Sequence, residues 1–280
     1  MNRVWIAAML TTVLAGCMPP SWGAGALLHP QRKAVVDDQR RPHETLDLMA
    51  AGVRVKGWRF RGEGTRRGTI IYLHGAGDNR GSSGSIADHF VPGGFDVVAY
   101  DSRAHGESGG AACTYGYYEK ADLGRVLDQI AVPAPIIALG MSLGGAVALQ
   151  AAATDARIAA VIAIAPFSDL RTVASERAPF FASKGNIDDA FRIAEAEAHF
   201  QADDVSPVVA ARKITAPVLI IHGDDDRETP PAHARRIFDA LPNTKKLVLV
   251  PHAGHHNVLN AATWSEIDAW IATVAAPRSL

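Results

Sequence analysis

The stretch over residues 135–148 reads PIIALGMSLGGAVA, and it decides the fold. A short apolar run leads into a Gly-Met-Ser-Leu-Gly turn, and small residues of helical character follow. A G-x-S-x-G turn between a strand and a helix holds the serine oxygen out at the edge of a sheet, and its glycines leave room for the tight bend. A helix that begins after Ser142 directs its amide groups toward negative charge that forms beside the serine. The stretch therefore predicts an α/β fold in which Ser142 is the nucleophile.

A second match to the motif, GESGG over residues 106–110, contains Ser108. With this glycine and serine content the motif is expected by chance in roughly one chain in ten, so its surroundings must decide. Residues 101–105 separate Ser108 from the preceding apolar run, and Gly-Ala-Ala-Cys follows instead of a clear helix. The context favours Ser142 over Ser108.

Further short apolar runs on both sides of this stretch predict a mostly parallel central sheet flanked by helices. They are rich in valine and isoleucine and too short for buried helices, as parallel strands covered on both faces should be. The runs cover residues 69–73, 95–100, 135–139, 160–165, 218–221 and 246–250. Helical spacing appears over residues 117–130, 144–153, 232–241 and 263–274. This alternation predicts one α/β domain over residues 43–276, and the alternating residues 45–49 and 53–60 predict an antiparallel hairpin at its start.

One connection is longer than the others. About fifty residues separate Pro166 from Pro217, and long excursions inside a compact domain are usually lids or binding loops. We expect a small helical lid over about residues 167–213, with Phe180 and Phe181 as candidates to line an acyl pocket. The alternative is an extra pair of surface helices without a substrate role.

Candidate partners for the serine follow the last two predicted strands. A serine hydroxyl needs a base, and the base needs an orienting acid; in this kind of fold they follow in the order serine, acid, histidine. Three aspartates occupy positions 224–226, and His252, His255 and His256 follow the run 246–250. The residues alone leave the choice among them open.

These segments resemble the α/β-hydrolase family, in particular its esterase, monoacylglycerol-lipase and serine-aminopeptidase-like branch. The acid loop of that family reads H-G-x-x-D-x-x-[VT]-P after a strand, and residues 222–230 read HGDDDRETP. The resemblance implies Asp226 as the acid, with Asp224 as runner-up. The family places its base in a Gly-His pair on the last loop, which implies His255, with His256 as the nearest rival. The resemblance covers about residues 45–274.

The same resemblance implies an oxyanion hole, which is a pair of amides that hold the negative charge formed on the substrate. Residues 74–77 read HGAG and match the family's H-G-x-G turn, which implies the amide of Ala76. The other amide is expected from Leu143, the residue after the nucleophile. His74 is expected to be structural, with its ring buried under the turn. Residues 101–108 read DSRAHGES and resemble the family's D-x-R-G-H-G-x-S loop, with alanine in place of the first glycine, and should brace the rim of the site.

The N-terminus resembles a bacterial lipoprotein signal. Residues 1–16 contain a short basic start and an apolar stretch too short to span a bilayer comfortably, and they end in Leu-Ala-Gly before Cys17. Such signals are cut just before the cysteine, whose thiol is then lipidated; two or more acyl chains anchor a protein stably. Met18 in place of an aspartate implies the outer membrane of the cell envelope, facing the periplasm.

Residues 17–42 are then expected to form a tether, because residues 19–25 are rich in turn-forming types and show no apolar periodicity. The alternative is an ordinary secretory signal, cut near Ala24 and Gly25, in which Cys17 is incidental.

Composition excludes several other classes of protein. The 280 residues carry a net charge of -1 without a long Lys/Arg run, which argues against nucleic-acid binding. The two cysteines are too few for a disulfide framework. No H-E-x-x-H or paired C-x-x-C spacing occurs, so no metal or organic cofactor is expected.

The favoured function is that of a serine hydrolase acting on a small-molecule carboxylic ester. Peptides, amides and thioesters stay open as substrates, because the fold does not fix the function. The alternative from another class is a lipid-anchored binding protein that keeps the scaffold without turnover.

Overall fold

The structure is a computed structural model that describes residues 19–50, 52–242 and 244–274. Eight strands are present in these ranges: β1 (Glu44–Ala50), β2 (Val53–Phe60), β3 (Gly68–Leu73), β4 (Phe95–Tyr100), β5 (Ile136–Met141), β6 (Ile158–Ile164), β7 (Val218–Gly223) and β8 (Lys245–Val250). They form one sheet in the order β1-β2-β4-β3-β5-β6-β7-β8. The pairs β1–β2 and β2–β4 are antiparallel, and every other pair is parallel. The predicted hairpin and mostly parallel sheet are confirmed.

Nine α-helices accompany the sheet in the same part of the chain: α1 (Pro20–Leu28), α2 (Gly84–Phe90), α3 (Glu119–Gln129), α4 (Leu143–Ala152), α5 (Leu170–Arg177), α6 (Lys184–Ala198), α7 (Pro207–Ala211), α8 (Ala232–Ala240) and α9 (Ala261–Val274). Successive strand residues point to opposite faces of the sheet. Ile71 accordingly joins a core with α3, α4 and α8, whereas Ile70 joins a second core with α2 and α9. Burial of both faces explains why the parallel strands read as continuous apolar runs.

The insertion between β6 and β7 contains α5, α6 and α7, so the predicted small helical insertion is confirmed. Its longest helix, α6, begins at a Ser183 cap whose hydroxyl accepts a hydrogen bond from the Asn186 amide. It ends where His199 adopts a left-handed conformation, with φ of 53°. The Ala/Glu-rich composition of residues 188–200 indicates a helix in this insertion, and the structure begins that helix four residues earlier, at Lys184.

The interpretation of residues 19–25 as a turn-forming segment is wrong, because residues from Pro20 onward form α1. Ala24 and Leu28 lie four residues apart on one face of α1, and both are buried. A β-carbon on Gly23 would lie 3.0 Å from the β-carbon of Ala190 on α6, so the two helices pack closely. Contact with α6, and not helical periodicity in the sequence, stabilises this helix.

The predicted signal and the proposed lipidation site, Cys17, lie outside the described residues. Within the ranges that the structure covers, no helix has both the length and the apolar character needed to cross a membrane.

Candidate active site

Ser142 lies at the bend between β5 and α4, where the sequence predicted it. Its backbone adopts φ of 48° and ψ of -111°, a conformation that side chains rarely adopt. The bend is tight, because a β-carbon on Gly140 would lie 2.2 Å from the backbone of Gly144. A β-carbon on Gly144 would in turn lie 2.0 Å from the carbonyl oxygen of Leu73. Both glycines are therefore required by the close approach of α4 to the strands.

A histidine from the C-terminal loop reaches this serine. His255 follows β8, and its Nε2 lies 2.9 Å from Ser142 Oγ. Its Nδ1 lies 2.7 Å from Asp226 Oδ2. A carboxylate can only accept, so Nδ1 donates its proton to Asp226 and Nε2 is free to accept the hydroxyl proton of Ser142. The three side chains predicted from the sequence lie together, and their catalytic role stays a prediction.

Asp226 is held by a full set of donors. Its Oδ1 accepts hydrogen bonds from the amides of Glu228 at 2.9 Å and Thr229 at 2.8 Å. Burial by itself would raise the pKa of Asp226, but hydrogen bonds from His222, His255 and the Thr229 amide together hold that pKa well below its ordinary value. The carboxylate stays ionised and keeps the His255 ring in one orientation.

His222 is the support that sequence reasoning missed. Its Nε2 lies 2.7 Å from the Thr229 carbonyl oxygen and 3.2 Å from Asp226 Oδ2, and the side chains of both His222 and Asp226 are fully buried. His222 is the histidine of the H-G-x-x-D motif, so the motif itself contains the residue. Its role as a support for Asp226 could not be predicted, because the contact between the two side chains depends on how the acid loop folds back over the end of β7.

The rival residues lie elsewhere. Asp224 is exposed, and its Oδ1 accepts a hydrogen bond from the backbone amide of His252 at 2.6 Å. The His256 side chain is 82% exposed and pairs with Glu228 at 3.0 Å. Neither contacts Ser142, so the structure separates Asp226 and His255 from their nearest alternatives.

The two amides expected to form the oxyanion hole flank Ser142. Leu143 is the first residue of α4, so its amide belongs to the first turn, which has no helical acceptor. The turn 74–77 lies beside the serine, because a β-carbon on Gly75 would be 3.7 Å from Ser142 Cβ. Within the described residues, neither the Leu143 amide nor the Ala76 amide has a hydrogen-bond acceptor. Both amides are available to an oxygen placed beside the serine.

His74 is buried under this turn, as expected for a structural residue. Its Nδ1 lies 2.8 Å from the Gly75 carbonyl oxygen, and its Nε2 accepts a hydrogen bond from the Ser102 amide at 3.0 Å. Burial, and then the neighbouring His105, lower the pKa of His74 to about 4. The ring is neutral near pH 7 and links the turn to the loop that begins at Asp101.

That loop braces the rim of the site. The buried Asp101 carboxylate pairs with the Arg80 guanidinium and also accepts a hydrogen bond from the Glu107 amide at 2.8 Å. Ala104, which stands where the resembled family has glycine, adopts φ of 60°. Ser108 is buried and accepts a hydrogen bond from the Lys56 amide at 2.9 Å, so this second G-x-S-x-G serine has a structural position.

A cavity of about 310 Å³ lies between α1, α5 and α6, and Tyr115 also lines it. Phe180 and Phe181 do not line it. Phe180 is fully exposed and Phe181 is 48% exposed, because the chain turns outward after Pro179. Their predicted place in an acyl pocket is wrong for this structure.

Arg177, at the end of α5, connects this cavity to the acid loop. It lines the cavity, and it donates hydrogen bonds to the Glu228 carbonyl oxygen at 2.7 Å and to Thr229 Oγ1 at 2.6 Å. Because the amides of Glu228 and Thr229 hold Asp226, the cavity lies next to the segment that positions the acid.

No cluster of three His, Cys, Asp or Glu side chains suited to a metal ion occurs in the part of the chain that the structure describes. Cys113 is buried there as a free thiol, and burial raises its pKa well above the ordinary value.

Comparisons with known proteins agree with the fold described above. The sequence model of the serine aminopeptidase S33 family matches residues 64–187, and that of the prolyl oligopeptidase family matches residues 127–276. The uncharacterized protein YqkD of Bacillus subtilis is 30% identical over 218 residues, which cover 74% of this chain and 70% of YqkD. A monoacylglycerol lipase of Mycolicibacterium smegmatis is 25% identical over 246 residues, which cover 73% of this chain and 88% of the lipase.

Among solved structures, the Pyrococcus furiosus esterase Pf2001 superimposes with a TM-score of 0.71 at 19% identity, covering 88% of this chain and 98% of the esterase. At 19% identity this similarity supports a shared fold and not a shared function.

Proposed function

The chain belongs to the α/β-hydrolase family, and we propose that it is a serine hydrolase that cleaves carboxylic esters. The observation that carries the proposal is the hydrogen-bonded chain from Ser142 through His255 to Asp226, with distances of 2.9 Å and 2.7 Å. A nucleophile, a base and an orienting acid in this geometry suit acyl transfer.

In the first step His255 Nε2 takes the hydroxyl proton while Ser142 Oγ attacks the ester carbonyl carbon. The imidazolium that forms is stabilised by Asp226, whose depressed pKa keeps the carboxylate charged. The carbonyl oxygen becomes an oxyanion that the amides of Leu143 and Ala76 receive. Loss of one such donor typically raises the barrier by about 3 kcal/mol.

Collapse of this intermediate expels the alcohol, which takes the proton from His255, and leaves an acyl group on Ser142. Water then enters, His255 removes a proton from it, and the resulting attack on the acyl carbonyl releases the carboxylic acid. The same histidine acts as base and acid in both halves of the reaction. The chemistry balances without a metal or an organic cofactor.

We place the acyl group of the substrate in this cavity, which adjoins the acid loop through Arg177 although Ser142 and His255 do not line it. An apolar acyl group fits this lining better than a free peptide N-terminus does. An α-ammonium group needs a carboxylate partner, and the residues that line the cavity include no aspartate or glutamate. The cavity lining is mainly alanine, leucine, isoleucine, valine and proline. Relatives that include a monoacylglycerol lipase and an esterase support the same choice. Because both matching family models describe peptidases, an amidase or peptidase is the second candidate.

We also propose that Cys17 carries the lipid anchor in a bacterial cell envelope, facing the periplasm. Cleavage of a secretory signal near Ala24 would remove the first half of α1, including the buried Ala24 itself. Cleavage before Cys17 leaves α1 intact, which supports the lipoprotein interpretation. Wild-type protein should incorporate labelled fatty acid in cells, and Cys17→Ala should not; absence of label from wild type would contradict the anchor.

The proposed reaction is tested with p-nitrophenyl esters of graded chain length beside aminoacyl p-nitroanilides. Wild type should hydrolyse the esters faster, and Ser142→Ala should lose the activity while Ser108→Ala, in the second copy of the motif, retains it if folded. Faster cleavage of the anilides would favour the peptidase. Equal ester turnover by wild type and Ser142→Ala would contradict the mechanism, and no turnover of any substrate would favour a binding protein.

A further inference from the structure

Three exposed aromatic side chains lie close to residues that line the cavity between α1, α5 and α6. Trp22 on α1 is 67% exposed, Phe180 is 100% exposed and Phe181 is 48% exposed. Phe180 and Phe181 stack edge to face at a centroid distance of 5.3 Å, so they form one apolar unit. Large aromatic side chains that face water together, and not singly, mark a contact surface for another apolar phase.

These side chains adjoin the cavity on two sides. Phe180 directly follows Ala178 and Pro179, which line the cavity, and Trp22 directly precedes Gly23, which also lines it. Trp22 also lies one helical turn before Ala26, a cavity residue on the same face of α1. The turn with Phe180 and Phe181 lies between the cavity residues Pro179 and Ala182, so the three exposed aromatic side chains lie at the edge of the cavity. We call Trp22, Phe180 and Phe181 the aromatic rim.

The N-terminal segment leads to this same face. Pro19 is the first described residue, and it lines the cavity. Only Met18 separates it from Cys17, and two residues of chain reach at most about 7 Å. The acyl anchor that we propose on Cys17 would therefore enter the membrane close to the cavity and its aromatic rim.

We propose that the aromatic rim is a bilayer-contacting surface, so that Trp22, Phe180 and Phe181 insert into the membrane and hold the cavity against it. The proposal deepens the proposed function and rests on it for the substrate class, since ester substrates would reach the cavity from the lipid phase. A bilayer is favoured over a protein partner because the anchor proposed at Cys17 would hold this face at a membrane. Aromatic side chains are also the types that occupy the membrane–water interface.

The test uses the full-length wild-type chain reconstituted in phosphatidylethanolamine vesicles that contain a diazirine-labelled phosphatidylcholine. After illumination, the crosslinked residues are mapped by mass spectrometry. Crosslinks should concentrate on the peptides with Trp22, Phe180 and Phe181. Met49 and Val209 are matched controls, since they are 57% and 50% exposed and lie away from the cavity, and they should stay unlabelled.

A second measurement compares the double variant Phe180→Ser/Phe181→Ser with Met49→Ser. The double variant should lose about tenfold in kcat/KM toward a long-chain ester dispersed in vesicles, because it removes two inserting side chains. It should keep wild-type kcat/KM toward a soluble short-chain ester, and Met49→Ser should behave as wild type toward both.

Equal lipid crosslinking at the controls and the aromatic rim would overturn the proposal. Lipid adducts at the controls but none at Phe180 and Phe181 would also overturn it, in favour of a surface covered by a second copy or another protein. If the aromatic rim is labelled by lipid but no ester is hydrolysed, the bilayer contact stands and the proposed function fails. The two proposals are thus tested separately.

Discussion

Replacement of Asp226 by asparagine probes the candidate site most sharply, because both carboxylate oxygens face donors only. One oxygen accepts from the amides of Glu228 and Thr229 at 2.9 Å and 2.8 Å. The other accepts from His255 Nδ1 at 2.7 Å. Backbone amides cannot become acceptors, so the asparagine oxygen must remain with them and its NH2 group must face His255. The ring then has to accept at Nδ1 and carry its proton on Nε2, where it can no longer take the proton of Ser142.

The expected effect is a loss of about 10⁴ in kcat, which corresponds to about 5.5 kcal/mol of barrier, as for a wrong histidine tautomer in such a triad. Steady-state hydrolysis of a soluble p-nitrophenyl ester measures it, with circular dichroism to verify folding. Asp224→Asn is the matched control. Its side chain is exposed, so its kcat should stay within about twofold of wild type, the usual range for surface changes.

Two results would refute this reasoning. Asp226→Asn with a tenth or more of wild-type kcat would show that the carboxylate does not set the tautomer. An equal loss of kcat in Asp224→Asn would leave Asp224 as a candidate for the acid, although the structure places it away from His255.

Three further predictions concern the base, the bend and pH. His255→Ala should lose kcat by orders of magnitude and His256→Ala much less; the reverse order in ester hydrolysis would exchange their roles. Gly144→Ala should fail to give soluble, folded protein, because the new β-carbon would lie 2.0 Å from a carbonyl oxygen. Gly25→Ala is the control: its new β-carbon meets nothing within 4 Å, so this variant should keep the wild-type Tm or raise it. Equal Tm values in the two variants would contradict the tight bend. The pKa of His74 is lowered from 6.5 to about 4, so the folded protein holds this ring in its neutral form. The ring therefore contributes fully to the free energy of unfolding above pH 6.5, and this contribution is lost as the pH falls, by about 3 kcal/mol at pH 4. Urea unfolding should show this fall in wild type and a shallower one in folded His74→Asn, and parallel curves would contradict it.

The nucleophile bend could be predicted from residues alone. Positions 140 and 144 must be glycine because the backbone contacts there leave no room for a side chain, so these two glycines indicate the bend in the sequence itself. The choice of Asp226 and His255 needed the resemblance to a family, since three aspartates and three histidines stood in suitable loops. In the structure these two side chains lie within hydrogen-bond distance of each other, and His255 also reaches Ser142.

Other features could not be predicted because they depend on tertiary contacts. The sequence of α1, PSWGAGALL, has no amphipathic pattern, and the helix depends on the close fit of Gly23 against Ala190. The sequence offers Phe180 and Phe181 as candidates to line an acyl pocket, yet the turn after Pro179 leaves them in solvent. His222 supports Asp226 only after the acid loop has folded over it.

Covalent labelling of the nucleophile tests the central claim most directly. A fluorophosphonate should add to the wild-type chain with a stoichiometry of one, and peptide mapping should place the adduct on Ser142, 2.9 Å from the His255 base. Ser142→Ala should stay unlabelled while Ser108→Ala is labelled like wild type. An adduct on any other residue, or none on a folded wild-type chain, would contradict the assignment of Ser142.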